Sequence, residues 1–191
     1  MLKTDNELVE DFLAGDEQAL EFLFERYFKV IYNFVYRLAR EPDVASDITQ
    51  ETFVKTWRNL KKFDQNLNFK TWLFTIAKNT AYDWLKKKKP IVFSALTAGD
   101  EDDYRLENLA IDQEPWPDEI FAQKEIKAKL EKHLSKIPPL DQTIILLHLQ
   151  EGQTFEMVAE ILDQPMNTVK SRYRRALAKL RDLLSNAPNE L

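Results

Sequence analysis

The chain has 191 residues, 44% of them apolar and 12% aromatic, with three Gly, eight Pro and no Cys. This composition can build a core, favours helices over a turn-rich β fold, and excludes a disulfide framework, a thiolate nucleophile and a Cys-ligated zinc. The formal charge of −5 at face value argues against a nucleic-acid partner.

In chain order, Asn6–Ala14 is predicted as a short amphipathic helix closed by Gly15, which suits the left-handed conformation past a helix end. Asp16 caps a long helix reaching about Arg40, where Leu20, Leu23, Phe24, Tyr27, Phe28, Ile31, Phe34, Val35 and Leu38 recur at 3, 4 spacing and Pro42 stops the run. Asp43 is expected to cap a third helix, about Val44–Leu60. A polar loop over 61–68 leads to a fourth helix, about Phe69 to Lys88, ended by Pro90. Its expected core stripe is Trp72, Leu73, Ile76, Ala77 and Trp84. Periodicity then fails through Gly99-Asp-Glu-Asp-Asp103 and Glu114-Pro-Trp-Pro117. It resumes over 119–137, breaks at Pro138-Pro139, continues over 140–150 and stops at Gly152. Thr154–Leu162, with Thr154 as cap, and about Met166–Leu184 complete the pattern. The expected fold is all-α: two small helical domains, 1–92 and 120–191, joined by an acidic flexible linker, 93–119, with the C-terminal domain a helix-turn-helix. No apolar run approaches the ~20 residues that span a bilayer, and the charged first thirteen residues do not resemble a signal peptide, so a cytoplasmic protein without direct membrane insertion is expected.

Split by segment, the charge tells a different story. Residues 1–54 carry 5 basic and 12 acidic side chains, 55–92 carry 10 and 2, 93–119 carry 1 and 9, and 120–191 carry 11 and 9. Lys170–Arg181 alone holds six cations and no acid. Two cationic blocks around an anionic stretch are what phosphate-binding surfaces look like, since Lys and Arg release counterions there; solvated helix faces give the same pattern.

The last two helices sharpen the reading. A short helix, the turn Asp163-Gln164-Pro165 and a cation-rich helix occur together. At ~100° per residue, Val169, Tyr173, Ala176, Leu177, Leu180, Leu183 and Leu184 share a dry side, while Lys170, Ser171, Arg174 and Arg175 lie away from it near the helix start. That arrangement suits a DNA major groove, where Arg forks onto guanine and Ser reaches a base or phosphate. On the third helix the same wheel sets Asp47, Gln50, Glu51, Val54 and Arg58 on one ridge, opposite Ala45, Ile48, Phe53, Trp57 and Leu60. Such a ridge is either a wet surface or a docking face, and Val54 in its middle favours docking. On the fourth helix Lys78, Asn79, Tyr82 and Lys86 lie opposite the expected core, the mixture of cation, amide and aromatic that single-stranded DNA requires. The loop from Phe63 to Phe69 is a candidate pocket for one extruded base.

Three runs together carry a resemblance: Asp47-Ile-Thr-Gln-Glu-Thr-Phe-Val-Lys-Thr-Trp-Arg-Asn-Leu60, Phe69-Lys-Thr-Trp-Leu-Phe-Thr-Ile-Ala-Lys-Asn79 and Asn167-Thr-Val-Lys-Ser-Arg-Tyr-Arg-Arg-Ala176. With Ile137-Pro-Pro-Leu140 and Gly152-Gln-Thr-Phe-Glu-Met-Val-Ala-Glu160 between them, the chain resembles extracytoplasmic-function (ECF) sigma factors of bacterial RNA polymerase from about residue 5 to 184. The resemblance implies a subunit that binds core RNA polymerase through Asp47, Gln50, Glu51, Val54 and Arg58. It implies melting and reading of the minus-ten promoter element by Phe63, Lys78, Asn79, Tyr82 and Lys86. Thr168, Lys170, Ser171, Arg174 and Arg175 would read the minus-thirty-five element. The acidic linker would thread the polymerase's nucleic-acid channel, and an anti-sigma factor, in many cases membrane-anchored, would silence the whole. Asp163 and Asn167 stand where the family usually carries Gly, and both tolerate positive φ. Asp141-Gln142 stands where a basic residue is common.

Two other classes compete with this reading. An ordinary helix-turn-helix regulator with a sensor domain would bind duplex DNA alone, often as a dimer on symmetric half-sites. An enzyme would need a constellation that is missing: His133 and His148 are the only histidines, neither in a triad or HExxH setting, and the run Asp100-Glu-Asp-Asp103 lacks the spacing of a calcium loop. No catalytic residue, metal or cofactor is expected.

Overall fold

The computed structural model describes residues 3–88, 133–134 and 136–185, and all regular structure among them is helical. The expected acidic linker, 93–119, and the helix expected over 119–137, up to residue 132, lie outside the described residues.

α1 (Asp5–Leu13) starts with a reciprocal cap: Thr4 Oγ1 accepts from the Glu7 N–H, and the Glu7 carboxylate accepts from the Thr4 N–H. Asp5 then fastens α1 to α2 (Glu17–Ala39) by accepting from the Arg26 guanidinium and the Tyr27 hydroxyl. Burial and that hydrogen bond both push the Tyr27 phenol well above its ordinary range. Asp16 caps α2 by accepting from the Gln18 N–H at 3.1 Å, and Arg40 ends it in the left-handed conformation at φ 61°. α3 (Pro42–Asn59) differs from expectation at its start. Pro42 is its first residue rather than merely the stop for α2, because its fixed φ suits that position and its missing N–H would have no partner there. Asp43 therefore sits inside the first turn, where its charge favours the helix dipole, and is not the cap. One 3-10 turn, Leu60–Lys62, leads to the loop before α4 (Phe69–Lys88).

α1 to α4 enclose a core whose largest fully buried members include Leu23, Ile31, Phe34, Ile48, Phe69 and Phe74, with Phe34 and Phe74 in edge contact at 5.2 Å between centroids. A row of threonines completes it. Thr49, Thr52 and Thr56 are fully buried, each donating its hydroxyl to the carbonyl four residues back at 2.6, 2.7 and 2.8 Å. Satisfied in this way, the hydroxyl carries no desolvation penalty and the methyl packs as an apolar group.

In the second unit α5 (Pro139–Ile145) runs into a wider π-helical turn, Leu146–Gln150. α6 (Phe155–Leu162) is capped by Thr154, which accepts from the Met157 N–H, and α7 (Met166–Ser185) follows. Asp163 takes the left-handed position between α6 and α7 at φ 54°, while Asn167 lies inside α7 with ordinary helical backbone. Leu134, Ile137, Ile145, Ala176 and Leu180 form a small core of this unit's own.

The two units are packed together. α4 lies along α6, and one continuous buried cluster runs from α2 and α3 through Leu73, Phe74, Ala77 and Ala81 into Leu140, Ile144, Leu147, Val158, Ile161 and Leu162. The expected α4 stripe is thereby corrected: Phe74, Ala81 and Leu85 are buried, whereas Trp72, Ile76 and Trp84 are only half-buried. α4 is covered on two sides, so no single stripe describes it.

Candidate functional site

The ridge on α3 has the geometry of an open surface. Asp47, Gln50, Glu51 and Arg58 are exposed, and Val54 is 42% exposed among them. Glu51 pairs along the helix with Lys55 at 2.8 Å, and Gln50 reaches Ser46 at 3.5 Å, both weak surface contacts. Trp57, expected on the arc opposite the ridge, is 54% exposed. Phe53, one turn earlier, packs on Phe24 and Phe28 of α2, whereas at ~100° per residue Trp57 stands only ~20° from Gln50 and so borders the ridge. An exposed Trp beside an exposed Val is a contact surface that the polar ridge alone did not reveal.

The residues singled out on the loop and α4 divide into three groups. Phe63 is 7% exposed and belongs to the core, in edge contact with Phe69 at 5.7 Å and tilted on Trp72 at 4.9 Å. Its ring is held by packing and is not presented to a base. The loop tip carries Gln65, Asn66 and Leu67 instead, all exposed, with Leu67 at 44%. Asp64 folds this tip by accepting from the Asn66 N–H, and Asn68 caps α4 by accepting from the Thr71 N–H. Asn79 and Lys86 are exposed on α4. Lys78 and Tyr82 face the second unit. Lys78 is only 9% exposed, and its ammonium lies 6.0 Å from the Tyr82 ring centroid. Burial pushes its pKa below the ordinary lysine value, offset in part by the charges of Asp163 and Asp83. The Tyr82 hydroxyl bonds the Thr143 hydroxyl at 2.9 Å, and burial pushes the phenol up to about 12.

The start of α7 is arranged differently. Val169, Ala176 and Leu180 bury the inner side. Tyr173 stands at 5.2 Å from Phe155 and 5.0 Å from His148, so three rings lock α7 onto α6 and the π turn. Arg174 and Arg175 are exposed and make no hydrogen bond or ion pair among the described residues. Lys170 lies over the Phe155 ring at 5.8 Å, Thr168 is half-buried, and the Ser171 hydroxyl donates to the Thr168 carbonyl at 2.9 Å, leaving its lone pairs outward. Arg172 is not a surface cation: it pairs with Asp141 at 3.0 Å, both sides largely covered. Asp141 thus has an internal role. Arg175 shares a cleft of about 520 Å³ with Lys136 and Lys179, extending the cationic surface to a lysine that the helix wheel could not include. Among the described residues there is no group of three or more His, Asp or Glu that could hold a metal ion, and no helix long and apolar enough to cross a membrane.

Two family models match the chain, Sigma-70 region 2 over residues 23–91 and Sigma-70 region 4 over residues 127–180. The ECF RNA polymerase sigma factor SigW of Bacillus subtilis is 32% identical over 171 residues, covering 89% of this chain and 91% of that protein. Among solved structures, CnrH in complex with the cytosolic domain of CnrY superposes with a TM-score of 0.70 at 22% identity, covering 96% of this chain and 98% of that one, a likeness of fold. The sigma factor RpoE of Bartonella quintana, in complex with the anti-sigma factor NepR, gives a TM-score of 0.66 at 26% identity, covering 87% and 97%.

Proposed function

We infer the function of this chain from the family to which it belongs, the ECF sigma factors of RNA polymerase. It binds core RNA polymerase and directs promoter-specific initiation of transcription, and an anti-sigma factor controls it. The observation that carries this reading is the presence of region 2 and region 4 in one chain, in that order, over nearly the full length of a curated sigma factor. The anti-sigma partner rests on the likeness to the Bartonella sigma factor held by NepR. The family consists of non-catalytic initiation factors; the chain itself performs no chemistry and acts in the cytoplasm, where polymerase and promoter meet.

The residue roles are proposed from the resemblance, and the exposure of the side chains supports some of them. The first unit, 1–92, docks on polymerase through Asp47, Gln50, Glu51, Val54 and Arg58, with Trp57 as the apolar anchor beside them. An exposed aromatic next to charges supplies affinity on burial while the charges set orientation. The minus-ten strand passes over Asn79, Lys86, Lys78 and Tyr82, with the exposed loop tip Gln65–Leu67 replacing Phe63 at the base. The second unit, 120–191, reads the minus-thirty-five duplex through the start of α7. Arg174 and Arg175 are unpaired and ready to fork onto bases or phosphates, while Thr168, Lys170 and Ser171 border them. Lys136 and Lys179 extend the phosphate track.

Run-off transcription with core polymerase across a promoter library tests the reading. Discrete starts that require the chain are expected. Duplex binding by the chain alone, as a dimer on symmetric sites and with no start in the presence of core, would return it to the ordinary helix-turn-helix regulators.

A further inference from the structure

We infer that Asn6, on α1, is a positioning residue for the loop tip proposed above to meet the minus-ten base: its amide fixes the peptide between Gln65 and Asn66. The inference rests on that reading of the loop and brings the first helix into it.

The tip is a four-residue turn, Asp64 to Leu67, closed by the Leu67 N–H donating to the Asp64 carbonyl at 2.9 Å. The two commonest turns of this size differ in which way their central peptide faces, so closing the turn does not by itself decide that orientation. Here the central peptide is held at both ends. Asn6 Nδ2 donates to the Gln65 carbonyl oxygen at 3.1 Å, and the Asn66 N–H donates to Asp64 Oδ1 at 2.9 Å. The Asp64 contact lies within the loop and turns with it. Asn6 stands 59 residues earlier, and among the described residues its bond is the one that ties the tip to another helix.

Asn6 is a firm post. The reciprocal Thr4–Glu7 cap fixes the start of α1, Arg26 and Tyr27 of α2 clamp Asp5, and Leu8 and Val9 are buried. The Asn6 side chain is itself exposed and makes no other hydrogen bond among the described residues. Both stems of the loop are anchored as well, by Phe63 against Phe69 and Trp72 and by the Asn68 cap on α4. Only the tip retains freedom, and Asn6 removes it. What the tip then presents suits a base edge. Asn66 Nδ2 is spent on Asp64 Oδ1 at 2.9 Å, which leaves the Asn66 amide oxygen as an acceptor, and the Gln65 amide has no partner among the described residues. An extruded base is read by hydrogen bonds to its Watson–Crick edge, and such bonds select best when the protein groups are held in place beforehand. A central peptide free to flip would carry Gln65 and Asn66 with it and blur the selection.

The test changes one atom's chemistry and leaves the side chain's shape alone. Asn6→Asp replaces the donor with an oxygen that cannot bond a carbonyl, and adds a negative charge where the helix dipole favours it. The unfolding midpoint of the full chain should therefore not fall. Run-off transcription with core polymerase is read on the strongest library promoter and on its single-base variants through the minus-ten element. Asn6→Asp is expected to lower discrimination at one position, that of the extruded base, by about three- to tenfold, the range one hydrogen bond covers. Asn6→Gln, which keeps the donor, should restore most of it. In the free chain, backbone amide exchange over 64–68 should be faster in Asn6→Asp than in the natural chain. Unchanged discrimination overturns the inference, and so does an equal loss at every minus-ten position, which marks a generally weakened unit. Faster exchange without lost discrimination also overturns it, because the bond then steadies a loop that does not read. If the natural chain gives no start with core, the functional reading itself fails; if it gives starts that Asn6→Asp leaves unaltered, the sigma function stands and only the role of Asn6 is lost.

Discussion

Arg174 stands clear of α7 with its five donors unspent, and a guanidinium in that condition is worth most where it meets a guanine edge. Arg174→Ala is expected to weaken minus-thirty-five binding by ~1–3 kcal/mol and to relax the preference at one base pair, measured by competition among duplexes differing at single positions. An equal loss on every duplex would assign it to a phosphate. Phe63 gives the opposite lesson. Its ring is wedged among Phe69 and Trp72, so Phe63→Ala should lower stability by ~3–5 kcal/mol in urea unfolding, through the cavity it leaves. An unchanged midpoint would restore it to the DNA. Leu67→Ala, at the exposed tip, should leave the midpoint in place. Nothing in the local spacing separates Phe63 from Leu67; only the direction in which the loop turns decides which faces water.

Among the elements, α3 and α6 are the ones whose parts can be tested singly. Reversing Asp47 and Glu51 to Lys changes the charge of an exposed ridge and touches no buried group, so helicity should persist while core-polymerase binding in a pull-down is lost. Retained binding would remove the ridge from the docking surface. Thr154→Ala deletes the hydroxyl that accepts from the Met157 N–H, and should cost ~1 kcal/mol of the second unit's stability by thermal unfolding. The helix starts at Asp16 and Thr154 were legible because a cap is local chemistry. The burial of Thr49, Thr52 and Thr56 was not, because a back-bonded hydroxyl looks polar in sequence and apolar in the fold. Trp57 escaped for a different reason: an indole reads as core by its chemistry, although the wheel sets it only ~20° from Gln50 on the ridge.

For the whole molecule, the seam between the two units ties protonation to shape. Glu151 is raised by burial beside Lys70 and Arg37, so its neutral form favours closure; that contribution is full below the ordinary carboxylate value and is lost as pH climbs through the raised one. Lys78 is lowered by burial despite Asp163 and Asp83, so its charge opposes closure until the pH rises to its lowered value. Small-angle scattering of the full chain should therefore show the units most separated between an acid arm and an alkaline arm, and Glu151→Gln should remove the acid arm; a flat profile contradicts the seam chemistry. By itself the sequence determined the helical class, the caps at Asp16 and Thr154, the helix-turn-helix and the sigma-factor family, because each is written in spacing of a few residues or in the order of short motifs. The tertiary structure alone decided that α4 has two buried sides, that Phe63 lies inside while Trp57 lies outside, and that Lys78 and Tyr82 meet the other unit. The burial of Phe63 depends on how a short loop folds back onto Phe69 and Trp72, and the meeting of the units arises between segments some 60 to 80 residues apart, Tyr82 with Thr143 and Lys70 with Glu151; a periodicity of 3.6 carries no information on either.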